Sequence, residues 1–154
     1  MKTAVFAGTF DPITTGHEYV VKKALETFDK VIVVVADNDK KMPLFTSEER
    51  RDFIMEVFKD IKGVEVAIHH GLMMDFMKAH NLTYYIRGIR NDTDKEYEDR
   101  MLAFNKSVYP ELQTVYLDAP ESLRIVSSTF VKANANKLGF IPEVIRDKVK
   151  TKLL

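Results

Sequence analysis

Short runs of apolar, β-branched residues alternate with amphipathic segments from one end of the chain to the other. Ala4 to Ala7, Val31 to Ala36, Val64 to Ile68, Tyr84 to Ile86 and Val115 to Leu117 read as strands. Val31-Ile32-Val33-Val34-Val35 carries no polar alternation, as a strand covered on both faces requires. A helix beginning near His17 places Val20, Val21, Ala24, Leu25 and Phe28 on one face. Thr46-Ser47-Glu48-Glu49 has capping-box form and precedes the stripe Phe53, Ile54, Val57 and Phe58, so a second helix starts at about Ser47. Leu72 to His80 is a shorter helix, and Asp94 to Tyr109 a long one with Tyr97, Met101, Phe104 and Val108 at helical spacing. Thr129 to Lys137 and Pro142 to Leu154 complete the set, the latter with Ile141, Ile145, Val149 and Leu153 in line. Strands separated by helices predict one doubly wound, Rossmann-like α/β domain over residues 1–154: a five-stranded parallel sheet with helices on both faces. Ligands of such a sheet sit outside the carboxyl ends of its strands.

Composition narrows the partners. The 154 residues, 45% hydrophobic and 30% charged, suit a globular domain with a real core. Lys+Arg and Asp+Glu are equal at 23 each, which argues against nucleic acid as the main partner. The N-terminal apolar run is too short for a signal peptide or a membrane span, so the expectation is a cytoplasmic protein with no membrane partner. The absence of cysteine excludes thiol nucleophiles, zinc–thiolate sites and disulfides.

The polar residues that follow the strands carry the candidate chemistry. Gly8-Thr9-Phe10-Asp11-Pro12-Ile13-Thr14-Thr15-Gly16-His17 reads as strand, tight loop and helix start, where backbone N–H groups and an imidazole can meet a phosphate. Gly8 and Gly16 allow close approach of the backbone. Asp37-Asn38-Asp39-Lys40-Lys41 follows the second strand. Arg87-Gly88-Ile89-Arg90, with the acidic Asp94, Glu96 and Glu98 after it, follows the fourth, and Ser127-Ser128-Thr129 stands at a helix start after the fifth. Each cluster alone has a plain reading as a solvated loop or a helix cap. Together they suit a ligand rich in phosphates. His69, His70 and His80 read as structural or exposed, and Met73, Met74 and Met77 as a soft apolar face that also suits a slender ligand. No P-loop and no nucleophile elbow occurs, which leaves catalysis by positioning and charge stabilisation.

These motifs resemble the bacterial phosphopantetheine adenylyltransferases, from Lys2 to about Leu154. Thr14-Thr15-Gly16-His17 is the T-x-G-H form of the H-x-G-H signature of the nucleotidyltransferase superfamily. Arg87-Gly88-Ile89-Arg90 with Glu96-Tyr97-Glu98, and Ser127-Ser128-Thr129, complete the match. The resemblance implies transfer of AMP from ATP to 4′-phosphopantetheine by direct in-line attack, giving dephospho-CoA and pyrophosphate. It implies that His17 stabilises the transition state and contacts ATP phosphate, that Thr9 orients the attacking phosphate, and that Lys41 holds the transferring phosphates. It places Arg87, with Thr9 and Lys41, on the phosphopantetheine phosphate, Leu72 and Met73 on the pantetheine wall, and Thr9, Phe10, His17, Gly88, Arg90, Glu98, Ser127, Ser128 and Thr129 on ATP. Arg90 also joins the catalytic set with His17, Thr9 and Lys41. Mg2+ is expected as the nucleotide's counter-ion with no protein side chain as ligand, CoA as a feedback ligand, and a homohexamer as the assembly. The chain departs from the family at Lys95, where phenylalanine is usual, and at Leu123, where an aromatic residue is common. Other nucleotidyltransferases, such as those acting on nicotinamide mononucleotide, a non-catalytic CoA or nucleotide sensor, and an aminoacyl-tRNA synthetase fragment are the rival readings.

Overall fold

The computed structural model describes residues 2–37, 42–89, 92–118, 120, 127, 132 and 138–153. Five parallel strands, β1 (Thr3–Gly8), β2 (Lys30–Asp37), β3 (Val64–His70), β4 (Tyr84–Ile89) and β5 (Gln113–Asp118), form one sheet in the order β3-β2-β1-β4-β5. All five predicted strands are present, each extended by one to three residues at one or both ends. The helices are α1 (Thr15–Ala24), α2 (Ser47–Val57), α3 (Met73–Ala79), α4 (Asp92–Val108) and α5 (Arg146–Leu153), the last entered through a 3₁₀ turn, Glu143–Ile145. The predicted helix over residues 129–137 lies outside the described residues except at Lys132.

Period-two alternation along the strands divides the core into two layers. Ala4, Phe6, Val31, Val33 and Val35 pack with α1, α2 and the C-terminal Ile141, Ile145 and Val149. Val5, Ala7 and Val34 face Met74 and Met77 of α3, with Tyr109 and Leu112 beyond α4. Met74 and Met77 are thus core, as the soft apolar face allowed. Val20, Val21, Ala24 and Phe28 are buried, Leu25 is partly so, and Thr46 caps α2 with Glu49 returning to the Thr46 N–H.

Two expectations change. The first helix begins at Thr15, so His17 lies inside its first turn, with Thr14 as the cap. On α4 the residues Tyr97, Met101, Phe104 and Val108 do not form one packed face: Val108 packs against the core, but Tyr97 is 53% and Phe104 50% exposed, while Glu98 and Asn105 are buried. Residues 98 and 105 are seven apart and share a face, and the bond from Glu98 to Arg87 turns that face inward.

The turn into β3 depends on Gly63, whose φ is +90° and whose carbonyl accepts from Val31 N–H at 2.7 Å. A Cβ there would lie 2.7 Å from the Asp29 carbonyl oxygen. Gly63→Ala is expected to destabilise the domain by about 1–3 kcal/mol, seen as a lower thermal midpoint by circular dichroism.

Candidate functional site

The strand order reverses between β1 and β4, and there the two strands part. Their pairing ends at Phe6↔Ile86, whereas β1 continues beside β2 to Gly8↔Val35 and β4 continues beside β5 to Ile89↔Asp118. The divergence opens a cleft of about 300 Å³ at the carboxyl ends, lined by Gly8, Phe10, Gly16, His17, Arg87 and Glu98 among others. Side chains at positions 8 and 88 would narrow it or disturb its walls. A Cβ on Gly8 would lie 3.3 Å from the Phe10 ring, and one on Gly88 3.3 Å from Val20 Cγ2.

His17 is held by the start of its own helix. Thr14 Oγ1 accepts from His17 N–H at 3.3 Å, and His17 Nδ1 accepts from Thr14 N–H at 3.0 Å. A ring nitrogen that accepts from a backbone N–H carries no proton, so the neutral imidazole bears its hydrogen on Nε2. The ring stands edge-on to Phe10, with centroids 4.8 Å apart. Local sequence therefore sets both the direction and the tautomer of this histidine.

Arg87 and Glu98, assigned above to different substrates, form one ion pair on the cleft wall. Nε lies 3.1 and 3.0 Å from the two carboxylate oxygens and Nη2 lies 2.9 Å from Oε1. Nη1 donates to the Ala7 carbonyl at 3.0 Å, one residue past the last β1–β4 pair, and to Tyr85 Oη at 3.3 Å. Burial acts against the charged guanidinium, yet Tyr85 and Glu98 outweigh it and raise the pKa of Arg87. The same burial, with Arg87 opposing it, pushes the Tyr85 phenol up. These bonds engage four of the five guanidinium hydrogens and leave one on Nη2 for a ligand.

Phe10, His17, Gly88, Glu98 and Ser127 line the cleft together with Arg87. Thr9 is half-buried, and its carbonyl accepts from Arg50. Leu72 and Met73 do not line the cleft: they stand at the carboxyl end of β3, two strands from β1, with Leu72 41% exposed. Lys40, Lys41, Arg90, Ser128, Thr129 and Leu123 lie outside the described residues. Lys95, exposed on α4, pairs with Asp99 and lies over the Tyr116 ring of β5. Among the described residues no cluster of three His, Asp or Glu side chains could hold a metal.

His70, read as structural or exposed, pairs with Asp37 at 3.1 Å, and His69 bonds the Leu72 carbonyl. Sequence reasoning passed over Arg50 and Tyr85, named Asp37 only as part of the cluster after the second strand, and gave Asp11 no role. Asp11 stood inside the most distinctive motif, so only its partners were hidden. Asp37 is held below the ordinary carboxylate range, first by the Ser47 hydroxyl and then by Arg50.

Comparison with known proteins speaks to the family and the fold. The family model for cytidylyltransferase-like proteins matches residues 5–134. A phosphopantetheine adenylyltransferase of Thermotoga neapolitana is 40% identical over 95% of this chain and 91% of its own. One from Azoarcus sp. is 40% identical over 97% and 92%. In structure the chain is similar to NadR protein in complex with NAD and AMP-PNP, with TM-score 0.67 and 20% identity over 94% of this chain and 45% of that one. It is likewise similar to a bifunctional NMN adenylyltransferase/ADP ribose pyrophosphatase from Francisella tularensis, with TM-score 0.67 and 17% identity over 98% and 49%. At such identities the structural likeness speaks for the fold, and the near-complete match to curated relatives speaks for the family. With a parallel sheet that parts at its switch point and a T-x-G-H histidine fixed over the gap, the chain belongs to the phosphopantetheine adenylyltransferase family of nucleotidyltransferases.

Proposed function

We propose that the chain transfers AMP from ATP to 4′-phosphopantetheine, forming dephospho-CoA and releasing pyrophosphate. A phosphate oxygen of phosphopantetheine attacks the α-phosphorus of ATP in line, the bond from that phosphorus to the bridging oxygen breaks, and no bond to the protein forms. The observation that carries the reading is His17: its Nδ1 is engaged by Thr14 N–H, so the ring offers Nε2–H as a donor beside the cleft. Charge that spreads over the oxygens of the transferring phosphorus needs such a donor and no covalent partner. ATP enters as its magnesium complex, the ion held by phosphate and water. In this reading Thr9 aims the attacking phosphate, Lys41 and Arg90 hold the transferring phosphates, and Phe10, Gly88, Glu98 and Ser127 to Thr129 receive the nucleotide. Arg87 takes the phosphopantetheine phosphate through its remaining Nη2 hydrogen. Leu72 and Met73 lie two strands, roughly 10 Å, from β1, a reach suited to a long, slender pantetheine arm. CoA, which carries the same arm and nucleotide, competes for the same site.

The test is pyrophosphate release with ATP and, in turn, phosphopantetheine, nicotinamide mononucleotide and glycerol phosphate. Turnover with phosphopantetheine alone is expected. Turnover with nicotinamide mononucleotide instead would move the chain to a sister activity, and turnover with none would make it a sensor.

The assembly we infer is a homohexamer, supported by Phe104 on α4, a large apolar side chain half exposed and outside the cleft lining, which favours a covering partner. Phe104→Glu is expected to convert the hexamer to smaller species in sedimentation velocity at micromolar concentration. An unchanged hexamer would place the interface elsewhere.

A further inference from the structure

Among the described residues Arg50 is the most deeply buried charged side chain, 1% exposed, and it does not line the cleft. It stands in the first turn of α2, and its guanidinium joins three segments. Nη1 donates to the Thr9 carbonyl at 3.0 Å. Nε is shared between the Phe45 and Thr46 carbonyls at 3.1 and 3.3 Å, and Nη2 reaches Asp37 Oδ1 at 3.2 Å and Ser47 Oγ at 3.5 Å. Asp37 and Phe45 flank residues 38–41 in the sequence, so one side chain ties both flanks of that stretch to the loop after β1.

A second clamp of opposite charge joins two of the same segments, the loop after β1 and residues 44–45. The carboxylate of Asp11, 2% exposed, accepts from Leu44 N–H at 2.8 Å and Phe45 N–H at 2.9 Å, and Lys132 Nζ lies 2.9 Å from it. Between the two clamps sits Phe10, whose φ of +51° is disfavoured for a residue with a Cβ. Such a conformation persists where its surroundings enforce it. In a trans peptide the C=O and the following N–H point in opposite directions, so a Thr9 carbonyl held by Arg50 sets the direction of the Phe10 N–H. An apolar side chain of similar size would fill the same space without the cost of burying a charge. The guanidinium is compensated only when all its acceptors are in place, and that requirement selects one loop arrangement.

We propose that Arg50 is a positioning residue for adenylyl transfer: it fixes the Thr9–Phe10 peptide, and through it the direction of the Thr9 side chain toward the attacking phosphate. This inference rests on the reaction proposed above. Arg50→Lys keeps the charge and loses the fork. It is expected to lower kcat about tenfold or more while the KM for ATP stays within about threefold. Combined with Thr9→Val, the losses should not multiply: the double variant should fall within about threefold of Thr9→Val alone. Amide hydrogen exchange should quicken at Phe10, Phe45 and Thr46 and stay slow along β1 and β4. Asp37→Asn, which leaves the guanidinium and its carbonyl bonds, provides the same cycle should Arg50→Lys fail to fold, and it is expected to lower kcat about threefold. Arg51→Ala, on the exposed face of α2, is expected to leave turnover unchanged. A folded Arg50→Lys variant with kcat within about twofold of wild type, multiplying losses, or uniformly faster exchange would each overturn the proposal. A wild-type protein that releases no pyrophosphate from ATP and phosphopantetheine would overturn the underlying reaction instead, a result separate from any variant.

Discussion

His17→Ala is expected to lower kcat by about 10²- to 10³-fold with comparatively little change in the KM for ATP. The expectation follows from geometry. Thr14 N–H occupies Nδ1, so the imidazole acts through Nε2–H, and a donor aimed at developing charge contributes more in the transition state than in the ground state. The substitution also removes half of a capping box, which costs about 1 kcal/mol, a loss a domain of this size survives. Steady-state kinetics alongside a thermal melt separates the two effects. Equal losses in ATP affinity and in kcat would make His17 a binding residue. His17→Gln, which keeps a side-chain acceptor for the Thr14 N–H, should regain most of the melt and little of the rate.

Arg87→Ala is expected to act on stability and on substrate at once. It leaves Glu98, 7% exposed, without its cation, and breaking such a buried pair costs about 3–5 kcal/mol. For a domain of this length the thermal midpoint falls by roughly 2–4 °C for each kcal/mol. On the reading proposed here the KM for phosphopantetheine rises while that for ATP changes less. The two consequences separate in the double variant Arg87→Ala with Glu98→Gln, which no longer buries an unpaired charge. Its midpoint should recover and its phosphopantetheine KM should stay high. A double variant that regains both would make Arg87 purely structural, and a rise confined to the ATP side would exchange the substrates assigned to Arg87.

Much of the scaffold was legible because it is encoded between near neighbours. Short apolar, β-branched runs marked all five strands, and helix periodicity at three and four marked the helices among the described residues. The Thr46 and Glu49 cap was readable for the same reason. The reciprocal bonds of Thr14 and His17 use the same spacing of three, yet histidine in place of glutamate hid that cap from a pattern search. On α4 the periodicity located the helix but not its inner face. Tyr97 and Phe104 satisfy the spacing as well as Glu98 and Asn105 do, and hydrophobicity alone selects the wrong pair.

Chain order and local chemistry were enough to determine a doubly wound sheet, the strand ends that matter and a histidine at the first of them. Tertiary structure decided what those ends do to one another. Arg87 and Glu98 become a single ion pair because β1 and β4 part beyond Phe6 and leave a wall on which both side chains meet. Arg50 reaches a carbonyl 41 residues away, and Asp11 binds backbone 33 residues away. Such partners are chosen by the crossovers that lay one strand beside another, and no periodicity along the chain records them.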